Sequence, residues 1–138
     1  MASGVTVNPA CVETYQELRL KKSHKFIIFK LSKDNTDIVV DQTYESSDWE
    51  DFLKSLPEDE PVWAVYDFQY EAPESGVRNK LVFFSWTPDG ARTRAKMLHA
   101  SSKDALRRAL VGIATEIQAT EHGEVAHEAV LDKVRRLR

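Results

Sequence analysis

The spacing of apolar residues changes period several times along the chain, and each change marks an element. Asn8 followed by Pro9 reads as an N-cap and first helical position, and Val12, Tyr15 and Leu18 supply the apolar face of a helix reaching about Leu20. Residues 26–29 (Phe-Ile-Ile-Phe) and 37–40 (Asp-Ile-Val-Val) are β-rich runs, and the turn-prone link at 33–36 predicts that they form a hairpin. Ser47 and Asp48 predict a cap for a short helix over 49–56, closed by Pro57. Residues 62–68 and 80–86 are nearly continuous apolar strands, and the polar stretch 71–79 predicts a loop between them. Strands without polar alternation are buried on both faces, so helices are expected above and below the sheet. Residues 112–117 suit a further short strand and 124–136 a closing helix. No repeat, low-complexity tract or linker interrupts the pattern. It predicts a single α/β (α+β) domain over 1–138, a three-layer sandwich whose central mixed sheet of about five strands is flanked by helices.

Residues 92–110 carry the most pronounced helical pattern. At about 100° per residue, Ala95, Leu98, Leu106, Ala109 and Leu110 share one face. The opposite face collects Arg94, Lys96, Lys103, Arg107 and Arg108, with Met97, Ala100 and Val111 among them. A helix facing only water would mix Glu with Lys in supporting pairs. Cations gathered around an exposed methionine suit docking on an acidic protein. Ser101–Asp104 matches a capping box. Strong helix formers on both sides favour a continuous helix, bent where serine bonds back to the preceding turn.

Charge sharpens this picture. The net charge is −3, yet residues 1–76 hold 7 basic and 15 acidic side chains while 77–138 hold 12 basic and 7 acidic ones. Such a bipolar molecule turns one face toward an acidic partner and stays soluble. Overall acidity argues against nucleic-acid binding, which calls for a strongly basic domain. No run approaches the roughly 20 apolar residues of a membrane span, and the N-terminus lacks a secretory pattern. Cys11 stands alone, which fits a reducing compartment and a packing role rather than a reactive thiol.

Enzymatic chemistry finds little support. Five glycines are scattered and none builds a phosphate loop. His122 and His127 lie among Glu121, Glu124 and Glu128, but a five-residue separation puts them on different helical faces, unlike a zinc pair. No metal and no cofactor are expected. His99 reads as a partly buried ring with a polar tip, and Trp63, Trp86, Phe83 and Phe84 read as core.

Residues 82–91 (Val-Phe-Phe-Ser-Trp-Thr-Pro-Asp-Gly-Ala), 94–97 (Arg-Ala-Lys-Met) and 100–104 (Ala-Ser-Ser-Lys-Asp) together resemble the signature of the actin-depolymerising factor/cofilin family. The start Met-Ala-Ser-Gly-Val and the runs at 25–29 and 64–68 extend the resemblance to the whole chain, with the wording at 101–110 most similar to fungal cofilins. The resemblance implies the actin-depolymerising factor homology fold and a non-enzymatic protein that binds actin monomers and filaments, severing and depolymerising the latter. It implies monomer-binding positions at Arg94, Lys96, Met97, Lys103, Asp104, Arg107 and Arg108, completed by Ser3, Gly4 and Val5. A second surface, used only on filaments, would include Arg78 and Lys80 in the strand-connecting loop and Asp132, Lys133 and Arg136 in the last helix. Ser3 matches the family's regulatory phosphorylation site. Phosphoinositides are implied as competing ligands of the basic helix, and the protein is expected to be a monomer in the cytoplasm on the actin cytoskeleton, with the nucleus as a secondary location. Two alternatives stand beside this reading: a phosphoinositide-binding module, and a relative of the same fold acting on the branched-actin nucleating complex. Arg92, where relatives commonly carry proline, departs from the pattern.

Overall fold

Alternation within the two long apolar strands decides the architecture. Along strand β4 (Val62–Ala72), Trp63 and Val65 join one buried cluster while Ala64, Tyr66 and Phe68 join another on the opposite side. Strand β5 (Gly76–Trp86) repeats this, with Phe83 on the first side and Val82, Phe84 and Trp86 on the second. Both faces of the sheet are therefore apolar, and each needs a helical cover.

The computed structural model describes residues 4–45, 48–72 and 74–136. Its sheet has six strands in the order β1-β3-β2-β4-β5-β6, with β1 Thr6–Val7, β2 Phe26–Leu31, β3 Asp37–Tyr44 and β6 Thr115–Ala119. The two outer pairs, β1 with β3 and β5 with β6, are parallel and the inner pairs antiparallel, so the sheet is mixed as expected. The strand beyond the expected five is β1, whose two residues are too few to show a period.

Helix α1 (Pro9–Gln16) begins as its sequence dictates: Pro9 takes the first turn and the Asn8 side chain accepts from the Ala10 amide at 2.9 Å. It then widens into a π-helical turn over Glu17–Lys21, ended by Lys22 in the left-handed region, φ 58°. Lys22 reaches the buried Asp67 of β4 at 3.2 Å, and Asn79 of β5 donates to the other Asp67 oxygen at 3.0 Å. Helix α2 (Trp49–Ser55) is capped by Asp48, whose carboxylate accepts from the Glu50 amide; Ser47 of the expected cap lies outside the described residues. Helix α3 (Thr93–Ala109) is continuous, and Ser101 Oγ donates back to the Leu98 carbonyl at 3.1 Å. A short 3-10 turn, His122–Val125, precedes helix α4 (His127–Arg136). Cys11 and Tyr15 from α1 and Leu18 from the π-helical turn, with Leu106 and Leu110 from α3 and its C-cap, cover one face of the sheet; Phe52 from α2, with Val130 and Val134 from α4, covers the other.

One expectation is corrected. The polar stretch 71–79 is chiefly strand: β4 and β5 stay in register from Val62↔Trp86 out to Ala72↔Gly76. A backbone ladder needs no apolar side chains once it projects into water, so polarity alone does not end a strand. Gly76, at φ +73°, supplies the left-handed conformation beside the tip. A second glycine is needed for closeness, since a Cβ on Gly90 would lie 2.5 Å from the Glu58 carbonyl oxygen. That contact seats the turn leading into α3 against the chain preceding β4.

Candidate functional site: a basic docking helix

Helix α3 is anchored by a buried stripe of mixed chemistry. Leu106 and Leu110 are fully buried and contribute about 1.5–3 kcal/mol each by leaving water. His99 and Ser102, each 1% exposed, are as deep, whereas Ala95, Leu98 and Ala109 are only half-buried. The stripe thus runs slightly to one side of the all-apolar face that hydrophobicity alone picks out. The His99 ring stacks on Trp63, with centroids 4.1 Å apart, and its Nε2 donates to the Val62 carbonyl at 2.8 Å. Burial pushes the imidazole down to about 4, so it is neutral at ordinary pH. At the C-terminal end, Tyr15 Oη donates to the Val111 carbonyl at 2.6 Å, tying α3 to α1.

Outward from this anchor runs a ridge at helical spacing: Arg94, Met97, Ser101, Asp104 and Arg108 are all exposed. It spans roughly 21 Å at 1.5 Å per residue. Met97 is 68% exposed, and Val111 beyond the helix end is 61% exposed. Arg94 and Arg108 make no ion pair among the described residues. The other expected cations sit on the flanks. Lys96 is half-buried with Nζ 3.4 Å from the Asp89 carbonyl. Lys103 and Arg107 lean onto one carboxylate of β6, with Lys103 Nζ 2.7 Å from one Glu116 oxygen and Arg107 Nε 3.2 Å from the other. Glu116 was not legible as part of the site, because nothing in a strand's period reveals which helix lies across it.

Gly4 is exposed and Val5 is half-buried against the cluster beneath α3, with β1 running beside the helix. Gly4 and Val5 thus lead directly into the strand that runs beside α3. Ser3 lies outside the described residues.

The five remaining positions gather elsewhere, around the β4–β5 hairpin and α4. Arg78 and Lys80 lie on strand β5, not in a loop, and alternate residues put them on one face. Lys80 Nζ reaches the Val134 carbonyl of α4 at 3.2 Å and sits over the Tyr70 ring. Asp132 and Arg136 pair with each other at 2.6 Å, while Lys133 is exposed. Arg135, absent from the sequence reading, donates to the Glu71 carbonyl at 3.3 Å and joins Arg78, Lys80 and Tyr70 in lining a groove of about 510 Å³. Its contact is not legible in the sequence, because the polar stretch it touches carries no strand period.

Other candidates resolve into packing. His122 packs at a tilt against Trp86, and His127 meets Trp49 edge-on and Phe68 at a tilt; no metal-holding group of side chains occurs among the described residues. Burial, with Asp37 adding, pushes the Cys11 thiol up to about 11, which leaves it protonated and unreactive. No helix among the described residues is long and apolar enough to cross a membrane.

Known proteins share this fold. The model of the family described as cofilin/tropomyosin-type actin-binding protein matches residues 4–135. The chain is 54% identical over 136 residues to cofilin of Mycosarcoma maydis, covering 99% of this chain and 98% of that one. To cofilin of Schizosaccharomyces pombe it is 50% identical over 134 residues, covering 97% of each. Among solved structures, Streptomyces griseoflavus cofilin matches with a TM-score of 0.92 at 59% identity, over 98% of this chain and 100% of that one. Plasmodium berghei actin depolymerization factor 2 matches with a TM-score of 0.86 at 27% identity, over 97% and 99% of the respective chains.

Proposed function

This chain belongs to the cofilin family of actin-binding proteins, and we propose that it binds actin monomers and filaments and severs and depolymerises the filaments, controlling actin turnover. The observation that carries the reading is the exposed ridge of α3. Arg94, Met97, Asp104 and Arg108 project from a helix whose opposite side is locked by His99, Ser102 and Leu106. A rigid cationic ridge with an apolar centre docks on an acidic protein without first ordering its own backbone. Lys96, Lys103, Arg107, Gly4 and Val5 belong to the same docking surface, and Ser3 is its regulatory phosphorylation position. A phosphate on Ser3 adds about −1.5 to −2 charge to a protein that docks on an acidic partner, so it weakens docking.

Filament binding uses, in addition, the groove side: Arg78, Lys80, Asp132, Lys133 and Arg136, with Arg135 added because it closes the groove over the hairpin. Two surfaces permit work on a filament through differential affinity. A protein that binds a twisted subunit arrangement tenfold better than the resting one biases that arrangement by about 1.4 kcal/mol per bound site. Borders between decorated and bare stretches are then mismatched, and breakage follows there. The protein acts in this way as a monomer on the actin cytoskeleton, without catalysis and without nucleic acid. Phosphoinositide headgroups compete for Arg94, Lys96, Arg107 and Arg108.

The test is co-sedimentation with filaments alongside direct imaging of filament length. Binding with an increase in filament ends supports the reading. Pelleting with phosphoinositide vesicles but never with actin would replace it by the lipid-module alternative.

A further inference from the structure

We infer that Glu116 is a positioning residue for the docking helix, an inference that rests on the actin-binding reading above. Its carboxylate spends one oxygen on Lys103 and the other on Arg107, so a single side chain of β6 fixes two cations one turn apart on α3. Glu116 itself is held by the sheet, paired in register with Phe83 of β5, which is fully buried. The clamp therefore refers both cations to the rigid core.

The way the bonds are made separates positioning from masking. Arg107 engages Glu116 through Nε, the donor nearest its own backbone, and its terminal Nη groups make no hydrogen bond among the described residues. With Nε occupied, the two Nη groups still offer an end-on fork to a second carboxylate. Lys103 commits one of its three N–H donors to Glu116. Each cation is thus oriented by an inner bond while its outer donors stay available to an acidic partner. Long cationic side chains otherwise lose much rotamer freedom on docking, and fixing them in advance removes that cost. A masking carboxylate would act in the opposite direction, because its removal adds a positive charge to a face that meets an acidic partner.

Glu116→Gln keeps the shape and removes the charge, and its effect is read in a double-mutant cycle. Affinity for actin monomers is measured for the unaltered protein, for Glu116→Gln, for Lys103→Ala/Arg107→Ala, and for all three changes together, with urea unfolding of each to confirm folding. The expected result is a three- to tenfold loss of affinity from Glu116→Gln in the unaltered background, shrinking to less than twofold where Lys103 and Arg107 are already alanine. Tighter binding by Glu116→Gln would overturn the inference in favour of masking. An equal loss in both backgrounds would overturn it in favour of a general structural role. Failure of the unaltered protein to bind actin would instead overturn the parent reading, and is seen in the first arm before any variant is compared.

Discussion

Lowering the pH from 7.5 to 5 should destabilise this fold through one residue, His99. Its ring is 1% exposed, lies flat on Trp63 and already uses Nε2–H on the Val62 carbonyl. A second proton must therefore enter at Nδ1, which is buried without a hydrogen-bond partner. Burial is the main cause of the fall from 6.5 to about 4; the bond to Val62 opposes it and the charge of Lys103 adds to it. The unfolded chain takes up its proton near 6.5 and the folded one only near 4. Stability is thus fully present above about pH 6.5 and is lost as pH falls toward 4. Integrated over that window, the full difference is roughly 3 kcal/mol, of which about 2 kcal/mol is gone by pH 5. The assay is urea unfolding followed by tryptophan fluorescence at pH 7.5, 6 and 5, for the unaltered protein and for His99→Phe. Phenylalanine keeps the stack on Trp63 but orphans the Val62 carbonyl, costing about 1–3 kcal/mol at pH 7.5. Its loss between pH 7.5 and 5 should nonetheless be smaller by about 2 kcal/mol. Parallel pH profiles for the two proteins would refute the argument.

Three further outcomes are expected. Gly90→Ala should lower stability by about 1–3 kcal/mol, since the added Cβ meets a backbone oxygen that cannot swing aside; a melting temperature equal to that of the unaltered protein contradicts the close packing of that turn. Reversing Arg78 and Lys80 to Glu should weaken filament pelleting and severing while monomer affinity stays within about twofold, and Arg135→Glu should act in the same direction; an equal loss for monomers would show a single surface. Ser3→Asp should bind actin less tightly than Ser3→Ala at low salt, with the gap closing as salt rises; equal affinities at low salt would remove Ser3 as a switch.

The legible parts of the fold were those set by local chemistry. Asn8 and Pro9 start α1, Asp48 starts α2, and the apolar runs at 62–68 and 80–86 form the central strands. Period and turn residues carry that information without help from tertiary contacts. Features that depend on a distant neighbour were not legible. The outer half of the β4–β5 hairpin is stabilised by its pairing rather than its side chains, so it reads as loop. Strand β1 exists because β3 offers an edge. In the site, exposure of Arg94, Met97 and Arg108 follows from helical angle alone, whereas Asp104 enters only through the family resemblance. The same angle could not show that Lys103 and Arg107 are both held by Glu116, or that Arg135 reaches Glu71 across a groove. His99 is the instructive case: an imidazole in a hydrophobic stripe was read as partly buried, and the carbonyl of Val62 lets it go fully under.

The central claim, that the outward ridge of α3 is the actin-docking surface shared by monomer and filament binding, is tested most directly by Arg94→Ala/Lys96→Ala. Both side chains lie off the core, so urea unfolding should match the unaltered protein within about 0.5 kcal/mol. Affinities for monomers and for filaments are then measured in parallel at moderate salt. The account predicts that both fall together, by roughly 2–5 kcal/mol if the contacts are desolvated in the complex. A folded double variant that binds monomers and filaments as tightly as the unaltered protein would contradict it.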